Sequence, residues 1–330
     1  MCYNKNMEYT QIEKIKDAKK ICLISHLEPD ADALCSMIVF RNFLLAKFNA
    51  KVDIFAEFEH LPHSYDCLTE NQNLNPEPDD YDFAVMLDAP KSERLGKYES
   101  LFKNCINQLV VDHHSTNEFD KRQNIVEVVS STCEIVYKIL KENDYNFSKA
   151  DFGMIYAGII TDTNNLTVGA LNQHTFEIVG DCVQNVEFYP IYENFMLNNT
   201  LQNMQILANV ILNCKCYNQN KILISHFSKE QAEAINATQD SYIGIINRLS
   251  TINGARLIAF IYPKGDEYYV SMRGRAGANV GNIAKQNGGG GHDGAAAYMS
   301  TQKLEDIEKY LLKKFENVLS KTDAKVTKLF

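Results

Sequence analysis

Ile21-Cys22-Leu23-Ile24-Ser25-His26-Leu27-Glu28-Pro29-Asp30-Ala31-Asp32-Ala33 is the stretch on which the architecture turns. Ile21–Ser25 is a short, nearly unbroken apolar run, as expected of a strand buried on both faces. Pro29 has no amide hydrogen and disfavours helix at the residue before it, so the chain turns and His26, Asp30 and Asp32 are expected to project from a loop. Ala31–Phe48 then places Leu34, Ile38, Phe40, Leu44, Leu45 and Phe48 at spacings suited to a helix that covers a sheet. The pattern recurs. Val52–Ala56, Phe83–Leu87 and Leu109–Val111 read as further buried strands, and Thr132–Lys141 and Asp151–Ile160 as helices. This alternation predicts an α/β fold with a mainly parallel N-terminal sheet, whose functional loops lie at the carboxyl ends of its strands. Asn71–Asp82, rich in Asn, Pro and Asp, reads as a surface loop.

The pattern changes around Pro190. Ile191–Leu212 reads as one long helix or two short ones, a natural connector and also a candidate surface for a homodimer. Beyond it a smaller α/β unit is expected: strand Lys221–Phe227, helix Lys229–Ala237, and a hairpin of Ala255–Tyr262 with Tyr268–Met272 around Pro263-Lys264-Gly265-Asp266. A short helix over Asn279–Gln286, the glycine run, and a closing amphipathic helix Leu304–Leu319 complete it, with the last ten residues frayed. The division is therefore 1–190, a connector over 191–213, and 214–330, as a chain of 330 residues allows at roughly 150 per domain.

Composition is that of an ordinary globular protein, 45% hydrophobic and 23% charged, which excludes a disordered or collagen-like chain. The net charge of −9 argues against a broad electrostatic grip on long nucleic acid. That average conceals a polarity. Residues 21–120 carry 18 acidic against 7 basic side chains, whereas residues 241–299 carry 6 basic against 3 acidic. All 16 glycines lie at or after Gly96, and 11 fall between Gly244 and Gly294. Nine cysteines at irregular spacings, with no CxxC, fit buried thiols in a reducing compartment. The N-terminus lacks the apolar core of a signal peptide, and no apolar run approaches the ~20 residues that span a bilayer. A soluble, cytoplasmic protein without membrane partners is expected.

Four acidic strand or helix ends stand out: Asp30 and Asp32 after the first strand, Asp88 closing Val85-Met86-Leu87, Asp112 before His113-His114, and Asp162 closing an apolar helical run. Singly, each is a helix cap or turn residue. Crowded at one end of one sheet, they repel and shift each other's protonation, which divalent cations relieve. Oxygen donors with two or three imidazoles suit Mn²⁺ best, with Mg²⁺ or Co²⁺ as alternatives, and exclude thiolate-rich zinc sites.

His26-x-x-Pro29-Asp30-x-Asp32-Ala33, Asp88, Asp112-His113-His114 and Asp162 together resemble the motifs of the DHH phosphoesterase superfamily, and most closely its bacterial nanoRNase/pAp phosphatase (NrnA-like) group. The resemblance implies a site for two divalent ions. His26, Asp30 and Asp88 would hold one; Asp32, Asp88, His113 and Asp162 would hold the other, with Asp88 bridging. It further implies that Asp112 orients ligands, that His114 contacts the phosphate or its leaving oxygen, and that Asp88, Asp112 and His114 form the catalytic set. Ser131-Thr132-Cys133-Glu134 resembles the S-T-x-E stretch of the nanoRNase group, where Thr132 and Glu134 are expected to be structural.

Gly288-Gly289-Gly290-Gly291-His292 follows Tyr269-Val270-Ser271-Met272-Arg273 by 15 residues counted from Arg273. Such a run presents backbone N–H groups to an anion, but no Lys-Ser/Thr follows and it is not a P-loop. It resembles the DHHA1 domain, whose strand arginine and GGGH stretch map onto Arg273, Gly289, Gly290, Gly291 and His292 as substrate-binding residues, with the active site in the cleft between the two domains. Family members often have Arg-Ser where this chain has Arg273-Gly274, and Ala-Ala-Gly where it has Ala295-Ala296-Ala297. The resemblance implies a metal-dependent phosphoesterase that degrades very short oligonucleotides to mononucleotides, 3′-phosphoadenosine 5′-phosphate to AMP, or both. The alternatives are a phosphodiesterase for pApA or pGpG derived from cyclic dinucleotides, and a non-catalytic nucleotide sensor. The small basic patch and the missing aromatic–basic interleaving argue against long nucleic acid.

Overall fold

A computed structural model describes residues 9–70, 72–291 and 293–326, which gather into two compact units divided between Asn198 and Asn199. The first contains β1 (Lys20–Ile24), α1 (Ala31–Lys47), β2 (Lys51–Phe55), α2 (Asp66–Thr69), β3 (Phe83–Leu87), α3 (Glu99–Asn104), β4 (Asn107–Asp112), β5 (Ile125–Val126), α4 (Thr132–Glu142), α5 (Lys149–Asp162), α6 (Gln173–Asn185) and α7 (Phe188–Met196). Its five strands are all parallel, in the order β2-β1-β3-β4-β5. Alternate residues face opposite sides. Ile21, Leu23, Val85, Leu87, Leu109 and Val111 pack under α1, α4 and α5, while Cys22, Ile24, Ala84, Met86 and Val110 meet Leu95, Tyr98 and Phe102. Burial on both faces is why these strands read as continuous apolar runs. The chain leaves β1 for β2 on one side and crosses to β3 on the other, so the strand order reverses between β1 and β3. In open α/β sheets, ligands bind outside the carboxyl ends of the strands at that reversal.

Local chemistry fixes the helix starts. The Asp30 carboxylate accepts the Ala33 N–H at 3.0 Å and caps α1, and Ser131 accepts the Glu134 N–H at 3.1 Å and caps α4. Ser148 and Asp151 form a reciprocal capping box at α5. Helix α6 is absent from the sequence reading because only Thr175, Ile178 and Cys182 of its thirteen residues are buried, too sparse a stripe to register as periodic. The span 191–212 proves to be two helices, interrupted over 197–200. The first begins at Phe188 and so places Pro190 in its first turn, where no amide hydrogen is needed.

The second unit contains α8 (Leu201–Leu212), β6 (Lys215–Tyr217), β7 (Ile222–His226), α9 (Lys229–Ala234), α10 (Ile245–Leu249), β8 (Leu257–Lys264), β9 (Glu267–Gly274), α11 (Gly281–Gln286), β10 (Gly290–Gly291), β11 (Ala295–Ser300) and α12 (Leu304–Val326). The sheet order is β10-β11-β9-β8-β7-β6, parallel at β7–β8 and antiparallel elsewhere. The expected hairpin is β8–β9, turning at Gly265 with φ 60°. Ile307, Leu311, Phe315 and Leu319 of α12 cover one face, and Ile206, Val210, Ile245 and Leu249 cover the other. Helix α12 continues to Val326, so the expected fraying does not begin at residue 321; residues 327–330 lie outside the described residues. Among the described residues, no helix is long and apolar enough to cross a membrane.

Candidate metal centre

The strand-end residues converge at the reversal in strand order. His26 follows β1, Asp88 follows β3, Asp112 closes β4 with His113 and His114 after it, and Asp162 is the last residue of α5. Ligand atoms of His26, Asp30 and Asp88 lie within 4.8 Å of one another, as do those of Asp32, His113 and Asp162, and those of Asp88, His113 and His114. Asp32 departs from the loop position expected for it. It sits in the first turn of α1 and is buried, because Asp30 ends the loop by capping that helix. Asp88 holds φ at 57°, a left-handed conformation rare for residues other than glycine, and its N–H donates to the Val111 carbonyl at 3.0 Å. Such strain persists only where the surrounding structure imposes it.

Two imidazoles are oriented for ligation. His26 Nδ1 lies 2.9 Å from the Leu27 carbonyl and His113 Nδ1 lies 3.2 Å from the Val129 carbonyl, so each Nδ1 carries the proton and donates. Their Nε2 atoms lie 3.6 and 3.5 Å from Asp88 Oδ2 and Oδ1, respectively, and His113 Nε2 is 3.6 Å from Asp162 Oδ2. A backbone carbonyl on the far nitrogen is the usual way a metal-binding imidazole is held. The donor set therefore fits hard or borderline divalent cations.

Burial lowers the proton affinity of both imidazoles, but neighbouring carboxylates outweigh it and lift each to about 9: Asp88 acts most strongly on His26, and Asp88 with Asp32 and Asp162 on His113. Burial raises the Asp162 carboxyl to about 6, only partly offset by His113. Burial and the charges of Asp88 and Asp162 also push Asp32 well above the ordinary carboxylate range. Asp88 goes the other way: burial opposes its charge, but His26, His113 and His114 pull it below that range. Without a cation, protons carry the compensating positive charge.

Thr132, expected to be structural, is tied directly to the cluster. Its hydroxyl donates to Asp88 Oδ1 at 2.9 Å, and its N–H donates to Asp32 Oδ2 at 2.7 Å, beside the Cys133 N–H on Asp32 Oδ1 at 2.9 Å. The N-terminus of α4 thus holds two carboxylates, where its exposed N–H groups favour negative charge. Glu134 stays away from the cluster; it accepts from Ser130 and Thr175 hydroxyls and pairs with Lys138 at 2.9 Å. Gly158 of α5 makes room for this contact: a Cβ there would stand 2.3 Å from Cys133 Sγ and 2.8 Å from Asp32 Oδ1. The same helical run also carries Gly153, and nothing in the sequence distinguishes the glycine that meets the cluster from the one that does not. Asp112, fully buried, turns its carboxylate to His114 and Asn117, not to His26 or His113.

In the second unit, Arg273 lies on β9, and Asn247 Oδ1 of α10 accepts from its Nε at 3.2 Å and Nη2 at 3.1 Å. Gly274 is required where it stands, since a Cβ would meet the Ala278 carbonyl at 2.0 Å; serine has no room there. Gly289 and Gly291 likewise let the chain press against β11, with hypothetical Cβ atoms 2.1 Å from the Ala297 carbonyl and 2.5 Å from the Ala295 carbonyl. Close packing accounts for these two glycines, while Gly290 is exposed and unobstructed. His292 lies outside the described residues.

Comparison with known proteins matches this layout. Residues 20–159 match the DHH family, N-terminal domain, and residues 220–321 match the DHHA1 domain. The chain is 23% identical over 301 residues to the bifunctional oligoribonuclease and PAP phosphatase NrnA of Bacillus subtilis, covering 87% of this chain and 93% of that protein. It is 42% identical over 160 residues to a probable manganese-dependent inorganic pyrophosphatase of Streptococcus pyogenes, covering 44% of this chain and 48% of the other. An exopolyphosphatase-related protein of Bacteroides fragilis shares the fold with a TM-score of 0.86 at 21% identity, covering 97% of this chain and 98% of that one. With both domains present in order along the chain, this protein belongs to the DHH/DHHA1 superfamily.

Proposed function

We propose that this protein is a divalent-metal-dependent phosphoesterase acting on very short oligonucleotides, on 3′-phosphoadenosine 5′-phosphate, or on both. The observation that carries the reading is the pair of ligand groups, His26/Asp30/Asp88 and Asp32/His113/Asp162, joined where Asp88 approaches His26 and His113 alike. The oligoribonuclease and PAP phosphatase of Bacillus subtilis supports the substrate class, and the manganese-dependent pyrophosphatase supports Mn²⁺ as the ion. In this reading two cations are bound, one by each group, with Asp88 shared between them. When bound, such ions draw charge from the phosphoryl oxygens and make water a nucleophile near neutral pH.

The chain's own residues supply the rest. His26 and His113 hold their Nε2 lone pairs toward the centre through their carbonyl-bound Nδ1–H groups. His114, with Nδ1 on Asp112, presents its other nitrogen to the leaving oxygen. Arg273 anchors a second phosphate, its guanidinium held flat by Asn247, and the backbone at Gly290 adds further donors. The acidic bias of the first half then assembles the cations that receive a phosphate, adding about +4 to that region, and does not repel one. A cytoplasmic setting accords with the eight described cysteines, all free thiols.

The deciding experiment is a panel of pAp, pApA, pGpG, an RNA dinucleotide and a 24-mer, incubated with the Mn²⁺-loaded protein. Mononucleotide release from the short substrates with the 24-mer spared is the expected result. Tight nucleotide binding without turnover would replace this reading with that of a sensor.

A further inference from the structure

Asn117 sits in the turn that follows the DHH stretch, its N–H donating to the His114 carbonyl at 3.1 Å. Its side-chain amide can be oriented only one way. Oδ1 accepts the Phe119 N–H at 2.8 Å, which leaves Nδ2 to donate to Asp112 Oδ2 at 2.7 Å, with the Ala89 carbonyl 3.5 Å away. The other oxygen, Asp112 Oδ1, accepts the Nδ1–H of His114 at 2.7 Å. Asp112 is fully buried, so these two donors fix the plane of its carboxylate, and that plane fixes the imidazole. His114 keeps 29% of its side chain exposed, and its Nε2 has no protein partner among the described residues.

We propose that Asn117 is a positioning residue for the hydrolytic step, acting through Asp112 on the orientation of His114 and on the proton that its Nδ1 holds. The inference rests on the phosphoesterase reading of the same site. As the oxygen of water bonds to phosphorus, the bond from phosphorus to the leaving ribose oxygen breaks and its electron pair goes to that oxygen. With Nδ1–H held by Asp112, the doubly protonated His114 gives its Nε2 proton to the leaving oxygen, and the proton released by the attacking water returns to Nε2. A misaligned imidazole slows this transfer when the leaving oxygen is a strongly basic alkoxide. It matters little when the leaving group is a nitrophenolate, which departs without a proton.

The test compares wild type, Asn117→Leu and Asn117→Ser, all Mn²⁺-loaded, on an RNA dinucleotide and on the p-nitrophenyl ester of thymidine 5′-monophosphate. Serine is too short to reach Asp112 and serves as the second variant if leucine prevents folding. Expected is a fall in kcat of about 10- to 100-fold on the dinucleotide, with KM within twofold and nitrophenyl ester turnover within threefold. Manganese content should equal that of wild type. In the Mg²⁺-loaded protein, the ¹⁵N shift of His114 Nδ1 should report a nitrogen protonated throughout in wild type and only partly protonated in the variants. Equal loss on both substrates, no loss on either, or loss of manganese would overturn the assignment. Failure of the wild type to cleave any short substrate would instead remove the phosphoesterase reading, and an unchanged His114 Nδ1 signal in the variants would still count against Asn117.

Discussion

Thr132 and Asp88 meet through one hydrogen bond, hydroxyl to Oδ1 at 2.9 Å, which ties the N-terminus of α4 to the strand-end carboxylate shared by both ligand groups. Asp88 reaches this position only through its left-handed backbone, and Thr132 fixes which oxygen is engaged. Thr132→Val keeps the side chain's shape and removes the donor. Partners of this kind typically contribute 10- to 100-fold in metal affinity. Titration of the metal-free variant with Mn²⁺ by calorimetry is expected to show binding weakened by about that factor, and an unchanged affinity would mean that the hydroxyl only fills space.

Much of this was legible beforehand, for a physical reason. Strands buried on both faces leave continuous apolar runs, and polar residues stranded at their ends are conspicuous. His26, Asp88, Asp112 and His113 were visible on that account. Thr132, Asn117 and Gly158 were not, because what they contribute is a contact with a residue distant in sequence: Thr132 reaches Asp32 across 100 positions. Hydrophobic periodicity and local spacing carry no trace of such pairings. The glycine run carries a second requirement that its composition conceals. Gly289 and Gly291 are needed for packing against β11, which no feature of the run itself reveals.

Gly158→Ala tests the close approach of α5 to the cluster. The added Cβ would meet Cys133 Sγ at 2.3 Å and Asp32 Oδ1 at 2.8 Å, and neither belongs to a flexible surface side chain. Overpacking of this sort costs about 1–3 kcal/mol. A lower Tm and weaker Mn²⁺ binding are expected together, and Cys133→Ala on the same background should restore part of the Tm by removing the nearer clash. A Gly158→Ala protein as stable as wild type would show that α5 can move away freely.

Arg273 should govern substrate binding more than turnover. Its guanidinium is fixed by Asn247 and would bind phosphate by charge-assisted hydrogen bonds, worth about 1.5–3 kcal/mol each. Arg273→Ala is expected to raise KM for a short substrate about 10- to 100-fold while kcat stays within a few-fold. Asn247→Ala should give a smaller rise in the same direction. Unchanged KM in Arg273→Ala would remove that residue from the substrate site.

The protonation of the cluster makes a prediction about pH whose sign follows from linkage. His26 and His113 stand at about 9 in the metal-free fold against an ordinary imidazole value of 6.5. Their contribution to stability is therefore complete below pH 6.5 and is lost as pH rises through 9. Asp162, at about 6 against 3.8, likewise favours the fold most when protonated, and its contribution is lost between those values. The metal-free protein should lose Tm steadily from pH 4 to pH 9, as protons that neutralise Asp30, Asp32 and Asp88 depart. A cation must displace the same protons, so Mn²⁺ affinity should rise over this range by up to tenfold per pH unit for each proton displaced. The Mn²⁺-loaded Tm should then exceed the metal-free Tm by a margin that widens with pH. Thermal denaturation at pH 5, 7 and 9, with and without Mn²⁺, measures both slopes. A metal-free Tm that climbs between pH 7 and 9 would mean that carboxylate repulsion is relieved by something other than the His26 and His113 protons.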